Sequence, residues 1–242
     1  MRLVVWNCAM KFDQKHSALM RLRPDIAIIP ECAKPEVLSV KAAGFRPTSV
    51  VWCGDNSNKG LAVFSFGHYR LKPTGERDPS LKYVLPVDVE GPTTFKVLAT
   101  WAFMGKNDMR SNIDPGPLLR STFIYEDALK SGRTLMAGDY NNHVRWDRPR
   151  NPRNFANYLA RMDALGLMSA YHALHGEQVG EEKAQTHFWR DRKVNTATNF
   201  HIDYIFAPKS WLALPAKCEV GSHADWCGTG LSDHVPLVLE FA

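Results

Sequence analysis

The chain has 242 residues, a length that suits one large α/β domain or two small ones. Hydrophobic residues make up 45% and charged residues 23%, as in soluble globular proteins, and no stretch approaches the ~20 consecutive apolar residues of a membrane-spanning helix. The formal net charge of +5 favours a polyanionic partner without establishing one, because many enzymes are equally basic.

The first half of the chain predicts several strands and one helix. Apolar residues spaced three and four apart predict a helix over residues 12–22, which ends before Pro24. Short apolar runs predict buried strands at residues 3–7, 26–29, 61–66, 83–89 and 95–101. The opening order of strand, helix and strand is typical of a sheet covered by helices.

The second half of the chain continues the alternation of strands and helices. Helices are predicted over residues 118–129 and 154–165, and Gly166 stops the second of them. Strands are predicted at residues 134–137, 201–207 and 235–241. Because no internal repeat, low-complexity tract or linker-like stretch is found, residues 1–242 are interpreted as a single domain.

Polar side chains stand at the ends of four predicted strands. They are Asn7, Glu31, Asp139, Asn141, Asp233 and His234. Loops at strand ends are where rigid sheets usually present binding groups. Brought together, the carboxylate and amide oxygens of this set would suit a hard cation such as Mg²⁺ or Mn²⁺. Zinc is disfavoured because thiolates are absent from the set and imidazole is sparse.

Each fragment taken singly has a structural alternative. The turn at residues 139–141 is rich in Asx residues, and such turns are often only structural. Asp233 and His234 fit a turn or a capped strand start as well as a site. Glu31 could simply be solvated. The joint occurrence of the fragments, in this order, is what favours a functional site.

These residues belong to a longer series of segments. The segments are Trp6-Asn7, Pro24-Asp25-Ile26-Ala27-Ile28-Ile29-Pro30-Glu31, Lys59-Gly60-Leu61-Ala62-Val63-Phe64, Gly138-Asp139-Tyr140-Asn141, His201-Ile202-Asp203-Tyr204-Ile205 and Ser232-Asp233-His234. The series resembles the endonuclease/exonuclease/phosphatase superfamily, which includes deoxyribonuclease-I-like enzymes, exonuclease-III-like abasic-site endonucleases, sphingomyelinases and inositol phosphatases. The resemblance implies a four-layer α/β sandwich, with two mixed β-sheets packed face to face and helices outside.

The resemblance also implies a divalent metal held by oxygen ligands. Glu31 corresponds to the main metal-binding carboxylate, with Asn7 and Asp233 nearby, either directly or through water. The implied cofactor is Mg²⁺, with Mn²⁺ able to replace it. The cation would neutralise a non-bridging phosphate oxygen and the charge that builds on the leaving oxygen.

Four further residues take catalytic roles by the same resemblance. Asp139 would orient and deprotonate the attacking water, and Asn141 would hold that water or the phosphate in line. His234 would stabilise the transition state, most usefully as imidazolium, and Asp203 would bond the far nitrogen of its ring. The structural alternative for Asp203 is a solvated residue within an edge strand.

The sequence departs from the family pattern at Trp101. Many members carry a histidine or tyrosine after the strand aligned with residues 97–100, where it contacts phosphate or helps the leaving group. An indole N–H can donate a hydrogen bond but cannot supply a proton, so the group that protonates the leaving oxygen is not assigned. Trp101 either packs in the core, the interpretation that we favour, or stacks on a base or sugar of the substrate.

Basic and aromatic residues after the turn at residues 139–141 predict a substrate-binding surface. Arg145, Trp146, Arg148 and Arg150 combine charge for phosphate contacts with an indole for stacking. The alternative is a solvated loop broken by prolines.

Two other segments are candidates for substrate contact. Arg190 follows Trp189 in a segment that resembles the Thr-x-x-Trp pattern of the family, and would line the same groove. Asn56, Asn58 and Lys59 stand where relatives have another substrate-facing loop.

The leading hypothesis is therefore a Mg²⁺-dependent nuclease that hydrolyses DNA or RNA by in-line attack of an activated water. The alternative enzyme is a phosphatase or phosphodiesterase acting on a small-molecule or lipid phosphate ester. A binding protein with a dead site is disfavoured because all the catalytic residues are present. The sequence does not show whether the substrate is DNA or RNA, or whether the enzyme acts as an endonuclease or an exonuclease.

The remaining features predict an intracellular enzyme without a membrane or obligate protein partner. The first residues run straight into an apolar strand and lack the pattern of a secretory signal, so a cytoplasmic location is expected. The five cysteines contain no CxxC pair, which disfavours a zinc ribbon and favours free, buried thiols.

Overall fold

A computed structural model describes residues 1–75, 77–102, 114–189 and 199–241 of the chain. The strands are β1 (Arg2–Val5), β2 (Ile26–Cys32), β3 (Ser49–Asn56), β4 (Lys59–Ser65), β5 (Arg70–Pro73), β6 (Val84–Glu90), β7 (Phe95–Trp101), β8 (Thr134–Asp139), β9 (Leu167–Ser169), β10 (His187–Phe188), β11 (Asn199–Phe200), β12 (Asp203–Pro208), β13 (Ala216–Val220) and β14 (Leu237–Phe241). The helices are α1 (His16–Arg21), α2 (Pro35–Lys41), α3 (Gly116–Ile124), α4 (Glu126–Lys130), α5 (Phe155–Ala164), α6 (Ala170–His175), α7 (Lys209–Leu212) and α8 (His223–Trp226). Short 3-10 turns cover Phe12–Gln14 and Val144–Trp146. None of these helices has the length and apolar character needed to cross a membrane.

The strands form two six-stranded sheets and a small ribbon. The first sheet has the order β13-β14-β1-β2-β4-β3 and the second has the order β5-β6-β7-β8-β12-β9, while β10 pairs with β11. Strands β1 and β2 are parallel, as are β7 and β8, and the other pairs in the two sheets are antiparallel. Both sheets are therefore mixed, as predicted.

Side-chain alternation along the strands explains the layers. Successive residues of a strand point to opposite faces of its sheet. In β1, Leu3 and Val5 join a core cluster that also contains residues of β7, β8 and β12 from the other sheet, so the two sheets pack face to face. Val4 instead packs on the outer face, with residues of α1 and α2.

The second sheet is covered in the same way. The outward-facing Leu98 of β7 and Met136 of β8 pack with residues of α3, α4 and α5. The order of layers is helices, sheet, sheet and helices. This order confirms the predicted four-layer α/β sandwich.

Local details differ from the predicted elements. The helix predicted over residues 118–129 is two helices, because Tyr125 leaves the helical conformation between α3 and α4. The helix predicted over residues 12–22 begins as a 3-10 turn and is helical only over His16–Arg21. Strand β3 was not predicted, because its end is polar and turn-like in sequence and pairs with β4 across a register shift.

Gly138 allows the two central strands of the second sheet to approach closely. A Cβ atom at this position would lie 1.7 Å from the carbonyl oxygen of Thr100, and the residue has a φ of 150°. Any side chain here would force β7 and β8 apart. The glycine thus fixes the register in which Asp139, the next residue, lies opposite Trp101.

Candidate active site

Asn7 joins the two sheets at one edge of the sandwich. It follows β1 of the first sheet, is buried, and donates a hydrogen bond from Nδ2 to Oδ2 of Asp139 in the second sheet, at 2.9 Å. Its Oδ1 accepts from the backbone N–H of Ala9 at 2.9 Å, and its backbone carbonyl accepts from the hydroxyl of Ser232 at 2.7 Å. These bonds bring the ends of β1 and β8 together with the segment that precedes β14.

Asp139 is completely buried and accepts hydrogen bonds with both carboxylate oxygens. The backbone N–H of Asn141 donates to Oδ1 at 2.9 Å, and Nδ2 of the same residue donates to Oδ2 at 3.0 Å. Asn141 has a left-handed backbone with a φ of 45°, a conformation that asparagine tolerates better than most residues. The predicted Asx turn is therefore present, and both the backbone and the side-chain amide of Asn141 donate to the Asp139 carboxylate.

His234 lies between two buried carboxylates. Its Nδ1 is 2.8 Å from Oδ2 of Asp203, and its Nε2 is 4.0 Å from Oδ2 of Asp139. Ligand atoms of the three side chains all lie within 4.8 Å of one another. Oδ1 of Asp203 is buried and has no hydrogen-bond partner among the described residues.

Surrounding groups fix this arrangement through the backbone. The hydroxyl of Thr186 accepts from the backbone N–H of Asp203 at 3.0 Å. The indole N–H of Trp6 donates to the backbone carbonyl of His234 at 3.1 Å. The backbones of the carboxylate–imidazole pair are thus held by the residue after β1 and the residue before β10, as a preorganised site requires.

The charges of the cluster shift one another's pKa values. Burial raises the pKa of Asp139 to about 7, although His234 opposes the change. Burial alone would lower the pKa of His234, but the neighbouring Asp203 and Asp139 raise it to about 10. These shifts favour the imidazolium form of His234 and make Asp139 a weaker acid than an exposed aspartate.

Glu31 lies at a bulge in β2. The pairing of β2 with β4 shifts register between Pro30 and Cys32, and Glu31 adopts a left-handed backbone with a φ of 59°. A bulge redirects a side chain out of the regular alternation. The carboxylate is partly exposed, and its Oε2 lies 3.3 Å from Nζ of Lys59.

Asp233 has a histidine partner that the sequence did not single out. Its carboxylate is half exposed, and Nε2 of His187 lies 3.7 Å away. Partial burial opposes ionisation, but contact with His187 and His234 holds the pKa of Asp233 well below its ordinary value. The rings of His187 and His234 are 4.4 Å apart. Only the position of His187 within the Thr-x-x-Trp segment hinted at this contact.

The acidic side chains divide into two groups with respect to a metal. Asp139, Asp203 and His234 form a buried cluster that could hold a cation, but amide and imidazole groups already contact these carboxylates. Glu31 and Asp233 are not members of this cluster, and each keeps part of its carboxylate exposed. Exposed carboxylate oxygens of this kind are ligands that a hard divalent cation such as Mg²⁺ prefers.

The predicted substrate-binding residues differ in how far they are buried and in what they contact. Trp101 is only 3% exposed and stacks on Tyr83 with ring centroids 5.2 Å apart, so it packs in the core. The guanidinium of Arg145 donates to the carbonyl of Gly180 from Nη2, at 2.8 Å. Trp146 packs edge-on against Phe200 and stays 42% exposed.

The other basic residues can be placed only in part. Arg148 and Arg150 are exposed, and Asn154 holds the backbone of Arg148 through the N–H and the carbonyl. Arg190 lies outside the described residues. Its neighbour Trp189 is 50% exposed.

A buried glutamate supports the loop that leaves the site. Oε2 of Glu182 lies 3.3 Å from Nε2 of His143, and Oε1 lies 3.1 Å from Nε2 of His172 and 2.7 Å from the backbone nitrogen of Gly180. Burial opposes ionisation of Glu182, but these donors hold its pKa well below the ordinary 4.5. The network ties the segment after Asp139 to the segment before Thr186.

We expect Glu182→Gln to lower the free energy of unfolding by about 1–3 kcal/mol at pH 7, because its amide cannot accept all three hydrogen bonds. A carboxylate with a depressed pKa stabilises the fold above its unfolded pKa and loses that effect as pH falls. The difference between wild type and variant should therefore shrink below pH 4.5, the ordinary value. Urea unfolding at pH 7 and at about pH 3.5 measures it.

The exposed neighbour Glu181 provides the control for this experiment. Glu181→Gln makes the same change of charge and should leave the unfolding free energy almost unchanged. A Glu182→Gln variant as stable as Glu181→Gln at pH 7 would show that the network does not support the loop.

Comparisons with known proteins identify the fold. Protein-family models and curated proteins gave no match. Among solved structures, the catalytic domain of Xenopus laevis APE2 is similar at a TM-score of 0.71 and 16% identity, over 100% of this chain and 91% of that one. An AP endonuclease from Archaeoglobus fulgidus is similar at 0.66 and 16%, over 100% and 99%. TDP2 of D. rerio, complexed with single-strand DNA product, is similar at 0.65 and 14%, over 100% and 98%. At these identities the likeness shows the fold, and it confirms the fold that the sequence resemblance implied.

Proposed function

We propose that the chain, which has the fold of the endonuclease/exonuclease/phosphatase superfamily, is a metal-dependent phosphodiesterase that hydrolyses DNA or RNA. The observation that carries the proposal is the pairing of Asp139 with His234 at 4.0 Å, with Asp203 holding the imidazole at 2.8 Å. A group that can accept a proton from water thus lies beside a fixed cation that can stabilise charge on phosphorus.

Asp139 is the proposed general base. Its pKa of about 7, raised mainly by burial, matches a group that takes a proton from water near neutral pH. Asn141 and Asn7 hold its carboxylate through three hydrogen bonds, so the base has a fixed direction before substrate arrives. Asn141 would also hold the attacking water or a phosphate oxygen through the remaining capacity of its amide.

His234 is the proposed electrostatic stabiliser of the transition state. Nδ1 is engaged by Asp203, which leaves Nε2 as the donor on the side of Asp139. An imidazolium held in this way can donate to a phosphate oxygen while its charge offsets the charge that develops during in-line attack. Asp203 positions the ring and does not itself need to contact the substrate.

Glu31, Asp233 and Asn7 are the proposed residues that hold Mg²⁺, with Mn²⁺ able to replace it. When bound, the cation supplies charge neutralisation at the phosphate and at the leaving oxygen. The exposed parts of the two carboxylates and the left-handed backbone of Glu31 support this assignment. Backbone strain of this kind is concentrated at functional sites.

The loop at residues 145–153 is the proposed site of contact with the nucleic-acid backbone, with Arg148, Arg150 and Trp146 exposed on it. Removing both arginine side chains, in Arg148→Ala/Arg150→Ala, should weaken binding of single-stranded DNA. The logarithm of the association constant falls as the logarithm of the salt concentration rises. The magnitude of this slope should decrease by about 1.4, since each phosphate contact contributes about 0.7. Fluorescence anisotropy between about 50 and 200 mM salt, without divalent metal, measures the slope.

A matched control removes two exposed arginines from the opposite end of the strands. Arg21 precedes β2, whose other end carries Glu31, and Arg70 begins β5. Arg21→Ala/Arg70→Ala changes the net charge equally and should keep the wild-type slope. If both double variants share one slope, the loop is scaffold rather than a binding surface.

The proposed function is tested with a panel of labelled substrates. It contains single-stranded DNA, duplex DNA, abasic duplex, RNA, a generic phosphodiester and a phosphoinositide, each with Mg²⁺, Mn²⁺ or EDTA. Cleavage of at least one nucleic acid with metal, and of none with EDTA, is the expected result. Turnover of the small ester or the lipid alone would reject the nuclease and favour a small-molecule or lipid phosphodiesterase.

A further inference from the structure

Trp101 occupies a position at which its side chain cannot serve as an acid. It ends β7 directly opposite Asp139, and its buried ring stacks on Tyr83. An indole N–H can donate a hydrogen bond but supplies neither a proton nor a positive charge. Trp101 therefore brings neither an acidic proton nor a positive charge to the edge of the second sheet next to Asp139.

Lys59 brings a positive charge to this edge from the other sheet. It begins β4, immediately after the turn that joins β3 to β4. Its Nζ lies 5.3 Å from the centroid of the Trp101 ring, over its face, and 3.3 Å from Oε2 of Glu31. The side chain is 33% exposed. The ammonium group thus stands between the proposed metal ligand and the residue opposite the proposed base.

Stability alone gives a weak reason for this lysine. An ion pair between two partly exposed side chains adds little to folding. An ammonium over an indole is also a modest attraction. The arrangement does, however, hold a point charge with three N–H donors in one place, beside the carboxylate of Glu31. About a third of the lysine side chain is open to solvent.

We propose that Lys59 binds the scissile phosphate, donating from its ammonium group to a phosphate oxygen. The inference rests on the proposed function. Lys59 keeps its three protons in this role, and its charge adds to that of His234 as negative charge develops. Trp101 then acts as the platform that directs the ammonium, which explains why an indole can stand at the end of β7.

A competing explanation makes Lys59 only the counter-ion of Glu31. The two explanations predict different effects on substrate binding. If Lys59 merely neutralises Glu31, then Lys59→Met leaves the carboxylate more negative, tightens metal binding and does not weaken substrate binding. If Lys59 binds phosphate, the same change weakens substrate binding even without metal.

The test compares Lys59→Met with Lys59→Arg, which keeps the charge, and with Lys34→Met as the matched control. Lys34 lies on the same rim, since its backbone N–H donates to the carbonyl of Ser57 in the β3–β4 turn. Its side chain is 40% exposed and pairs with Glu36 at 3.7 Å. The control therefore removes one charge from the same neighbourhood without touching the site.

Two readouts separate the explanations, and a third checks that the metal still binds. Anisotropy of a fluorescein-labelled single-stranded oligonucleotide in EDTA should show about tenfold weaker binding by Lys59→Met, with most of the loss recovered by Lys59→Arg. With Mg²⁺, kcat/KM should fall about 10²-fold or more. Calorimetry with Mn²⁺ alone should show wild-type or tighter metal binding. Lys34→Met should resemble wild type in all three.

A Lys59→Met variant that binds and cleaves like Lys34→Met would overturn the proposal while leaving the proposed function intact. A wild-type protein that cleaves no nucleic acid would instead reject the proposed function, and the metal-free binding assay would still decide the role of Lys59. Thermal unfolding of each variant checks the fold. If Lys59→Met does not fold, Lys59→Gln takes its place in the same three measurements.

Discussion

Asp139→Asn lowers kcat by about 10³-fold on the nucleic acid that the wild-type protein cleaves best. A positioned general base contributes about 10²–10⁴-fold to such a reaction, and a carboxamide cannot accept the proton of water. KM should change little, because the base acts in the transition state rather than in substrate binding. Steady-state cleavage of a labelled oligonucleotide with Mg²⁺ measures both constants.

The variant also carries a structural cost that must be separated from the chemical one. Asp139 accepts from three donors of Asn7 and Asn141, and an amide NH₂ group would face at least one of them. We expect the free energy of unfolding to fall by about 1–3 kcal/mol. Asp163→Asn is the control, since Asp163 is exposed and pairs with Lys209 on the surface. An Asp139→Asn variant with a kcat within threefold of Asp163→Asn would remove Asp139 from the mechanism.

His234→Ala produces the second large effect and lowers both activity and stability. Loss of a preorganised group that stabilises transition-state charge costs about 10²–10³-fold in kcat. The substitution also leaves Asp203 buried without the partner of its Oδ2, while its Oδ1 has no hydrogen bond among the described residues. Breaking a buried pair by removing one partner typically costs about 3–5 kcal/mol. Urea unfolding and single-turnover cleavage measure the two effects separately.

A double variant tests whether Asp203 is the buried charge that His234 compensates, because the proposal predicts that the second substitution restores stability. In Asp203→Asn/His234→Ala the uncompensated buried charge is gone, so the double variant should be more stable than His234→Ala alone. It should be no more active, because the imidazole is still missing. If the double variant is no more stable than the single one, Asp203 is not the buried charge that His234 compensates.

The strand pattern and the polar residues at strand ends could be predicted from the sequence. Asp139, Asn141 and His234 stand beside apolar runs, and the lengths of those runs indicate that these residues lie at or near strand ends. The number of layers could not be obtained in this way, because periodicity does not say which sheets face each other. That part came from the resemblance to a known superfamily.

Several side-chain contacts within the site could not be predicted. The ion pair of Lys59 with Glu31 depends on the bulge in β2, and a left-handed glutamate leaves no signal in the sequence. The contact of His187 with Asp233 depends on the packing of β10 against the segment before β14. Trp101 illustrates the same limit, since an aromatic residue at a strand end is equally compatible with a substrate platform and with a buried ring.

The positions of metal and phosphate are the most direct test of the account. Crystals soaked with Mn²⁺ and a short phosphorothioate oligonucleotide, measured at the manganese absorption edge, would locate both. We predict Mn²⁺ on the carboxylate of Glu31 and a phosphate within hydrogen-bond distance of Nε2 of His234, on the side that faces Asp139. Mn²⁺ bound elsewhere, with the phosphate away from His234, would contradict the proposed site.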